Sequence, residues 1–419
     1  MRVWYKNFDW FLVLSWMALV GIGLVAIYST THGPKQEFLL ESVRRNFDRQ
    51  AIWMLIAMAG SGMVLLLPVR FFQNMAYPIY VLCLILLVVA LAIGREINGA
   101  RSWIHIGGFG LQVSEIAKVG TVLAVAQLLS SRRAQQNTVR YASLAVLIIL
   151  VPAVLIVLQH DTGTALVFFA LIPIMLFWSG FPFSTIALMI SPAIAGYMAL
   201  IYYPVAIVFS VAFAIGLYAY SRERYVGIAA FLFTIGTVAI TRFALPAVFN
   251  SYQLARILSF TNPEAEEYRY TTGFHLVQSK AAIGSGGLTG KGFMLGTQTQ
   301  GDYIPEQSTD FVFSVIGEEW GFIGGAIVLL LFAFLLVRLV YVGVQMKHPF
   351  GVMTAAGAAG ILLVHLFVNV GMAMAILPVI GIPLPFLSYG GSALLANTLM
   401  LAIVINLYMR RDDFSIYGY

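Results

Sequence analysis

The sequence predicts an all-α polytopic membrane protein with about 12 transmembrane helices, and two observations lead to this fold class. Of the 419 residues, 60% are hydrophobic and only 10% are charged, whereas soluble domains carry about 25% charged residues. Apolar runs of roughly 20 residues, long enough to cross a bilayer as a helix, recur along nearly the whole chain. The chain is therefore expected to spend most of its length inside lipid.

The predicted spans fall into a group of nine followed by a group of three. They are placed near 10–29, 51–67, 78–94, 113–130, 142–158, 163–180, 184–202, 204–220 and 225–242, and then near 311–336, 352–377 and 391–409. A mixed polar segment, 243–310, separates the two groups. A loop of this length in a chain otherwise given to spanning lipid is more often functional than idle.

The distribution of basic residues predicts that both termini are cytoplasmic. With the N-terminus inside, twelve lysines and arginines fall in cytoplasmic segments and six in the short outer loops, as the positive-inside rule requires. This orientation places two polar, glycine-rich segments on the outer face, 95–114 and 243–310. Chemistry is therefore expected on the outer side of the membrane.

Composition argues against several kinds of site. The single cysteine, Cys83, permits no disulfide within the chain, and the six histidines are scattered, so no zinc cluster is predicted. Carboxylates remain as metal ligands, and oxygen ligands suit Mg²⁺ or Mn²⁺ bridging a diphosphate. The net charge of +6 is expected to serve topology and lipid headgroups, and we predict no nucleic-acid partner.

Ionisable residues at membrane depth are functional candidates because they are costly to bury in lipid. Glu115 and Lys118 stand three apart on one helical face and can pair. They form either a self-neutralising structural pair or part of a polar cleft. Asp161 opens the sixth span, where it either caps the helix through the favourable dipole or serves the site.

The segment Pro-Glu-Gln-Ser-Thr-Asp-Phe, 305–311, ends the long loop and brings Asp310 to the start of a predicted span. Glu306 and Thr309 precede this carboxylate, and a stripe of small residues follows it on the same helical face. The stripe consists of Ser314, Gly317, Gly321 and Gly324. It indicates either close helix packing or a groove that leads to Asp310.

Three further segments combine cations or aromatics with flexible backbone. The run 278–292 holds Lys280 and Lys291 among glycines, but it fails both the Walker A and the dinucleotide patterns. It is either a surface turn or a backbone that approaches an anion closely.

In the outer segment 95–114, Arg101 can clamp a phosphate, and Trp103 either stacks on a sugar or anchors at the interface. Segment 377–392 is dense in proline and glycine and predicts a broken or re-entrant turn.

Six of these segments resemble the SEDS (shape, elongation, division and sporulation) family of RodA and FtsW. They are Gly-Ala-Arg-Ser-Trp-Ile (99–104), Val-Ser-Glu-Ile-Ala-Lys (113–118), Gln-His-Asp-Thr-Gly-Thr (159–164), the glycine-rich run (278–292), Pro-Glu-Gln-Ser-Thr-Asp-Phe (305–311) and Pro-Leu-Pro-Phe-Leu-Ser-Tyr-Gly-Gly-Ser (383–392). They occur in the family's order along the whole chain. The glycine-rich run looks closer to RodA than to FtsW.

The resemblance implies a SEDS-type bundle that polymerises lipid II into glycan strands and releases undecaprenyl diphosphate. It implies that Asp310 is the catalytic carboxylate, acting as a general base or with a divalent cation, Mg²⁺ or Mn²⁺, which Asp310 would help to hold. The other site residues that it implies are Arg101, Trp103, Glu115, Lys118, Asp161, Lys280, Lys291, Glu306, Ser308 and Thr309. Expected partners are a class B penicillin-binding protein and other membrane proteins of the elongation complex. The expected location is the bacterial cytoplasmic membrane.

The chain departs from the family pattern in two places. Many relatives carry histidine where this chain has Ser308, so no imidazole can act there. The family usually has ten spans, and segment 184–242 is predicted to hold two more. Two alternative functions remain open at this point: a lipid II flippase, which would also need buried charges, and a non-catalytic scaffold of the elongation or division machinery.

Overall fold

The computed structural model describes residues 7–33, 41–97, 99–106, 109–131, 138–244, 259–262, 265, 268 and 273–411. The described chain is mainly helical, with one small sheet. It divides into two compact units, and each is described by itself. The first unit comprises 1–175 and 278–419, and the second comprises 176–277.

The helices of the described residues follow the predicted apolar runs. They are α1 (Trp10–Thr31), α2 (Glu41–Arg44), α3 (Asn46–Leu66), α4 (Val69–Ile93), α5 (Val113–Leu129), α6 (Thr138–Leu158), α7 (Thr162–Trp178), α8 (Phe183–Ser221), α9 (Arg224–Ala239), α10 (Phe274–Ser285), α11 (Thr297–Gln300), α12 (Val312–Glu319), α13 (Gly321–Gln345), α14 (Pro349–Ala373) and α15 (Gly391–Met409). A π-helical turn, Ile240–Ala244, follows α9.

Nine helices in the described part of the chain are long and apolar enough to cross a membrane: α1, α3, α4, α6, α8, α9, α13, α14 and α15. Helix α7 is apolar but has 17 residues, and α5 also has 17. The helical membrane fold is thus confirmed. The count of about 12 spans stays a prediction, because two of the predicted spans are short helices and two others merge.

The merged pair is α8, one 39-residue helix that covers the predicted spans 184–202 and 204–220. Its backbone leaves helical geometry at Tyr202, with φ −156° and ψ 98°. Pro204 follows, and a proline ring removes one helical hydrogen bond and clashes with the preceding turn. At about 1.5 Å per residue a straight helix of this length would measure roughly 58 Å. The kink therefore separates the two predicted segments.

The second unit is built on the packing of α9 against α8. Its buried cluster joins Ala195 and Ala206 of α8 to Val238 of α9. The backbones come close at Gly227, where an added Cβ would lie 2.9 Å from the Cβ of Tyr218. Small residues that permit such approach are typical of helix pairs in membranes.

The core of the first unit surrounds α5, which packs against α4, α6, α14 and α15. Burial of each candidate span is compared over its apolar window, an 18-residue stretch of the helix. Helices α14 and α15 are the most buried spans of this unit, with 72% and 89% of their windows buried. Helix α3 has only 11% of its window buried. Its buried residues are Asn46, Gln50 and Ala57. Two of these three are polar residues of its first turns.

The predicted outer segment 95–114 contains a three-stranded antiparallel sheet, β1 (Arg95–Ile97), β2 (Ala100–Ile106) and β3 (Phe109–Gln112). Strand β2 lies in the centre, and Trp103 pairs with Gln112 of β3. Gly99, with φ 83°, lies between β1 and β2, in a left-handed conformation that glycine adopts at little cost. The sheet leads directly into α5.

The predicted loop 243–310 is more structured than a plain loop where it is described. It contains α10 and α11, while 245–258, 263–264, 266–267 and 269–272 lie outside the described residues. The predicted span near 311–336 is interrupted. Helix α12 ends at Glu319, and Gly321, with φ 64°, begins α13.

Candidate active site

Asp310 lies in a tight turn whose backbone is held by a single carbonyl group. The carbonyl oxygen of Glu306 accepts hydrogen bonds from the N–H groups of Thr309, Asp310 and Phe311, at 3.2, 3.1 and 3.3 Å. Glu306 itself has a positive φ of 53°, which costs a non-glycine residue about 1–3 kcal/mol and is found preferentially at functional sites. The Thr309 hydroxyl donates to the Glu306 carboxylate at 3.0 Å. The turn thus places three predicted site residues together.

Ser308 anchors this turn to two other parts of the first unit. Its hydroxyl oxygen accepts from Nδ2 of Asn46, at the start of α3, at 3.3 Å. Its carbonyl oxygen accepts from the N–H of Tyr389 at 2.8 Å. Ser308 is 5% exposed, so in this chain it holds the Asp310 turn against neighbouring segments.

The proline-rich segment 378–390 forms an irregular turn that faces Asp310. Gly381 has φ 78°, and a Cβ added there would lie 3.4 Å from Oδ2 of Asp310. On the other side of this segment, a Cβ added to Gly163 of α7 would lie 2.9 Å from the carbonyl oxygen of Ile380. The segment therefore forms one wall beside the Asp310 carboxylate and packs against the start of α7.

Gln50 of α3 fixes the far end of the proline-rich segment. Its Nε2 donates to the carbonyl oxygen of Ser388, and its Oε1 accepts from the N–H of Gly390, each at 3.1 Å. Gln50 is 1% exposed. The buried amide of Gln50 thus pairs with one backbone acceptor and one backbone donor of this non-helical segment.

Asp161 caps α7 and connects this helix to the sheet. Its Oδ1 accepts from the N–H of Thr164 at 3.1 Å. Its Oδ2 accepts from Nε2 of Gln112 at 2.9 Å and from the Ser114 hydroxyl at 3.3 Å. The capping alternative is therefore what the structure shows, and the cap lies beside the proline-rich segment that Gly163 contacts.

Glu115 and Lys118 form a buried ion pair, with exposed fractions of 1% and 2%. The Lys118 Nζ lies 2.9 Å from each carboxylate oxygen of Glu115. It also lies 2.7 Å from Nε2 of His365 on α14. The charge of Lys118 is thus balanced inside the protein, as the self-neutralising alternative predicts.

Arg101 and Trp103 lie on β2, at a more accessible position. The Arg101 Nε is 3.3 Å from a carboxylate oxygen of Glu96, and both side chains are more than half exposed. The Trp103 ring is half-buried beside Gly110, where an added Cβ would lie 3.2 Å from the ring. The backbone N–H of Arg101 donates to the carbonyl oxygen of Gln159, which ties β2 to the segment that carries Asp161.

Lys291 is paired with a buried carboxylate at the end of α12. Its Nζ lies 2.8 Å from Oε1 of Glu318 and 2.7 Å from the Thr297 hydroxyl. Burial alone would raise the pKa of Glu318, which lies outside the candidate spans, but hydrogen bonds from Lys291, Gln298 and Thr299 outweigh it and lower that pKa. Lys280 is exposed on α10.

The glycine-rich run approaches protein backbone closely, at the break between α12 and α13. The N–H groups of Lys291 and Gly292 donate to the carbonyl oxygens of Glu318 and Glu319, at 3.0 and 2.9 Å. A Cβ added to Gly290 would lie 2.1 Å from the Glu319 carbonyl oxygen. These glycines are therefore required by packing, since both helix ends leave backbone groups that need partners.

The small-residue stripe after Asp310 is also filled by packing. The Ser314 hydroxyl lies 2.6 Å from that of Ser279 on α10, and a Cβ added to Gly317 would lie 3.0 Å from the Ile283 side chain. Of the two alternatives for the stripe, close packing is the one observed at these positions, and the groove interpretation is wrong there. Helix α10 fills the space that such a groove would need.

Sequence reasoning missed four polar residues that hold the site together. They are Asn46 and Gln50 on α3 and His365 and Asn369 on α14. The last two lie one turn apart in a helix that is otherwise almost wholly apolar. That contrast was the available signal, because polar groups at membrane depth are rarely placed without a partner.

The described residues contain no group of three or more histidine, cysteine, aspartate or glutamate side chains that could hold a metal ion. Asp310 can thus contribute a single carboxylate to a cation. Magnesium ions are often held in this way, by one or two carboxylates together with substrate phosphates and water. A cation at Asp310 therefore stays a prediction, and it would need ligands from the substrate.

Comparison with known proteins decides the family. The family model described as "Cell cycle protein", for FtsW, RodA and SpoVE, matches residues 9–224 and 204–413. The chain belongs to this FtsW/RodA/SpoVE family. It is 32% identical to peptidoglycan glycosyltransferase RodA of Treponema pallidum, over 97% of this chain and 98% of the relative. It is 34% identical to peptidoglycan glycosyltransferase MrdB of Escherichia coli K12, over 83% and 82% of the two chains.

Solved structures of similar proteins share the fold over 97% of the chain. A chain from a study of "structural coordination of polymerization and crosslinking by a peptidoglycan synthase complex" matches with a TM-score of 0.71 and 27% identity, over 97% of this chain and 98% of that one. The rod shape determining protein RodA of Thermus thermophilus matches with a TM-score of 0.61 and 26% identity, with the same coverage. The RodA-like members of the family are therefore well represented among these relatives.

Proposed function

We propose that this membrane protein is a RodA-type peptidoglycan glycosyltransferase that polymerises lipid II at the outer face of the bacterial cytoplasmic membrane during cell elongation. The names of the similar RodA and MrdB proteins support the activity. One structural observation supports the site: the Asp310 carboxylate, on a strained turn, lies beside Gly381, where an added Cβ would be 3.4 Å from its Oδ2. Both termini are cytoplasmic in this proposal.

In the proposed reaction, Asp310 acts as the general base. Its carboxylate accepts the proton of an acceptor sugar hydroxyl while that oxygen attacks the anomeric carbon of the donor. The new glycosidic C–O bond forms as the bond from the anomeric carbon to the diphosphate breaks. Undecaprenyl diphosphate leaves with the bonding electron pair. General base catalysis of this kind contributes about 10²–10⁴-fold to a rate.

The remaining predicted residues take binding roles according to their accessibility. Arg101 and Lys280 are exposed and are proposed to contact the diphosphate, with Trp103 beside a sugar. Lys118 and Lys291 pair with buried carboxylates, whereas the Glu96 partner of Arg101 is exposed. Binding through either lysine would therefore leave a buried carboxylate without its cation. We therefore assign both lysines a supporting role in shaping the site.

A divalent cation, Mg²⁺ or Mn²⁺, is proposed to bind Asp310 together with the donor diphosphate. Such an ion would neutralise the charge that develops on the leaving diphosphate. Asp310 would supply the protein's carboxylate to this ion, and oxygens of the substrate would supply other ligands. Asp310 then orients the acceptor hydroxyl as well as receiving its proton.

The proposed partner is a class B penicillin-binding protein, whose transpeptidase crosslinks the new strand, within an elongation complex of membrane proteins. The similar chain from a peptidoglycan synthase complex supports this proposal. The described residues contain no soluble domain that could crosslink.

The test is polymerisation of labelled lipid II by the purified chain with its transpeptidase partner. Wild type is expected to build long strands, and Asp310→Ala is expected to build none while it stays folded and bound to the partner. Addition of EDTA is expected to inhibit wild type, and Mg²⁺ to restore it. If both proteins are inert but move lipid II across a vesicle bilayer, the flippase function replaces the transferase. If Asp310→Ala changes only the assembly of the complex, the scaffold function replaces the transferase.

A further inference from the structure

Two buried polar side chains of α14 connect the charged pair of α5 to the Asp310 turn. His365 and Asn369 lie one helical turn apart and are 1% and 0% exposed. Residues four apart lie on the same face of a helix. Because the proposed reaction uses neither side chain directly, their contacts need an explanation of their own.

The contacts of His365 determine which ring nitrogen carries the proton. Nδ1 lies 3.0 Å from the carbonyl oxygen of Pro383, and a carbonyl oxygen can only accept, so Nδ1 carries the hydrogen. Nε2 lies 2.7 Å from the Lys118 ammonium, which can only donate, so Nε2 accepts. His365 is therefore a neutral imidazole that joins Lys118 to the proline-rich segment.

The contacts of Asn369 are equally directional. Its Nδ2 donates to the carbonyl oxygens of Asp310 and Ile382, each at 2.8 Å. Two carbonyl acceptors require the NH₂ end of the amide at this position. One side chain thus fixes the distance between the backbone of the proposed base and the segment that forms the wall beside its carboxylate.

We propose that His365 and Asn369 form a positioning bracket that sets the Asp310 carboxylate against the Gly381 wall. His365 connects Lys118 to Pro383, and Pro383 follows Ile382 in the chain. Asn369 connects Ile382 to Asp310. It rests on the proposed function, because Asp310 is taken as the base. The bracket acts on the geometry of the reacting group and leaves the binding surface for lipid II unchanged.

Asn406 of α15 offers a matched control for Asn369. It is also 0% exposed, and its Nδ2 also donates to two backbone carbonyl oxygens, those of Val64 at 2.7 Å and Leu67 at 2.9 Å. In both side chains Oδ1 has no hydrogen-bond partner among the described residues. Asn406 lies at the C-terminal end of α15, among residues that the site does not use. Replacement by alanine therefore removes two hydrogen bonds to backbone carbonyl oxygens at either position.

The experiment measures polymerisation kinetics and thermal stability of Asn369→Ala and Asn406→Ala, each as the full chain with its partner. Both are expected to lose similar thermal stability. Asn369→Ala is expected to lower kcat by roughly ten- to a hundredfold, since small misplacements of reacting groups have effects of this size. KM for lipid II is expected to stay within about twofold, because a residue that acts only in the transition state lowers kcat alone. Asn406→Ala keeps most of its kcat.

Two substitutions of His365 separate its two contacts. His365→Asn places an amide near Nδ1 and can keep the hydrogen bond to Pro383, whereas His365→Gln reaches the Nε2 position and can keep the contact with Lys118. Because the Pro383 side leads to Asp310, His365→Asn is expected to retain more kcat than His365→Gln at similar thermal stability.

The outcomes distinguish failure of the bracket from failure of the proposed function. If Asp310→Ala is inactive but Asn369→Ala and Asn406→Ala lose equal kcat, the bracket is only structural and the inference is wrong. The same conclusion follows if Asn369→Ala raises KM and keeps kcat. If Asp310→Ala polymerises normally, the proposed base is wrong and the bracket fails with it.

Discussion

Helices α14 and α15 differ from α8 and α9 in how much of their surface the protein covers. The apolar windows of α14 and α15 are 72% and 89% buried, against 17% and 22% for α8 and α9. The polar groups that reach the Asp310 turn or its wall lie on α14 or come from segments that pack in the first unit. Within the second unit, α8 and α9 carry none of the predicted site residues. Polar chemistry in a membrane protein is therefore found where protein, and not lipid, surrounds the side chain.

The largest effect is expected in the first unit, from replacing the buried Lys118. Lys118→Met leaves the Glu115 carboxylate buried without its cation, and breaking a buried ion pair in this way costs about 3–5 kcal/mol. The unfolding temperature of the purified chain is expected to fall markedly, and its polymerisation activity is expected to fall as well. The double variant Glu115→Gln/Lys118→Met removes both charges and is expected to recover most of the stability. A double variant as unstable as the single one would contradict this account.

A smaller effect is expected at Gln50, whose amide holds the end of the proline-rich segment. Gln50→Leu leaves the carbonyl oxygen of Ser388 and the N–H of Gly390 without this partner, at a cost of about 1–3 kcal/mol. Polymerisation is expected to fall roughly tenfold through displacement of the wall beside Asp310. Gln73→Leu is the control, since Gln73 contacts His348 at the start of α14. Equal losses in both variants would show that the position of Gln50 has no special importance.

Much of this arrangement could be predicted from the sequence, because the relevant signals are local. Apolar runs predicted the helices, and the resemblance of the motif around Asp310 to the SEDS family implied the proposed base. Other features depend on long-range contacts. The bond between Asn46 and Ser308 joins residues 262 apart, and no local pattern predicts which distant carbonyl an asparagine will meet.

The glycine-rich run shows a second limit of sequence reasoning. Its composition fits an anion-binding turn and a tightly packed connection equally well, since both need glycine. The structure shows the packed connection, with Lys291 on Glu318 and backbone bonds to the end of α12. The carboxylate that decides between the two lies outside the run, 27 residues after the lysine it binds.

A modest effect is expected at Arg101, where stability and binding can be separated. Its exposed pair with Glu96 contributes less than about 1 kcal/mol to folding, so Arg101→Ala is expected to unfold at nearly the wild-type temperature. If Arg101 contacts the diphosphate, KM for lipid II rises roughly tenfold, as expected from loss of one charge-assisted hydrogen bond. Glu96→Ala removes the same pair and is expected to leave KM unchanged. A rise in KM for both variants would trace the effect to the pair itself.

The smallest effect on activity is expected in the second unit, where α8 and α9 are the less buried pair of helices in the comparison. Gly227→Leu forces α8 and α9 apart, because an added Cβ would lie 2.9 Å from the Cβ of Tyr218 and 3.2 Å from the Ala214 carbonyl oxygen. Overpacking of this kind costs about 1–3 kcal/mol, so thermal unfolding is expected at a lower temperature. Polymerisation by the folded protein is expected to stay within about twofold of wild type, because α8 and α9 carry none of the predicted site residues. A large loss of kcat in folded Gly227→Leu would show that α8 and α9 are coupled to the Asp310 turn.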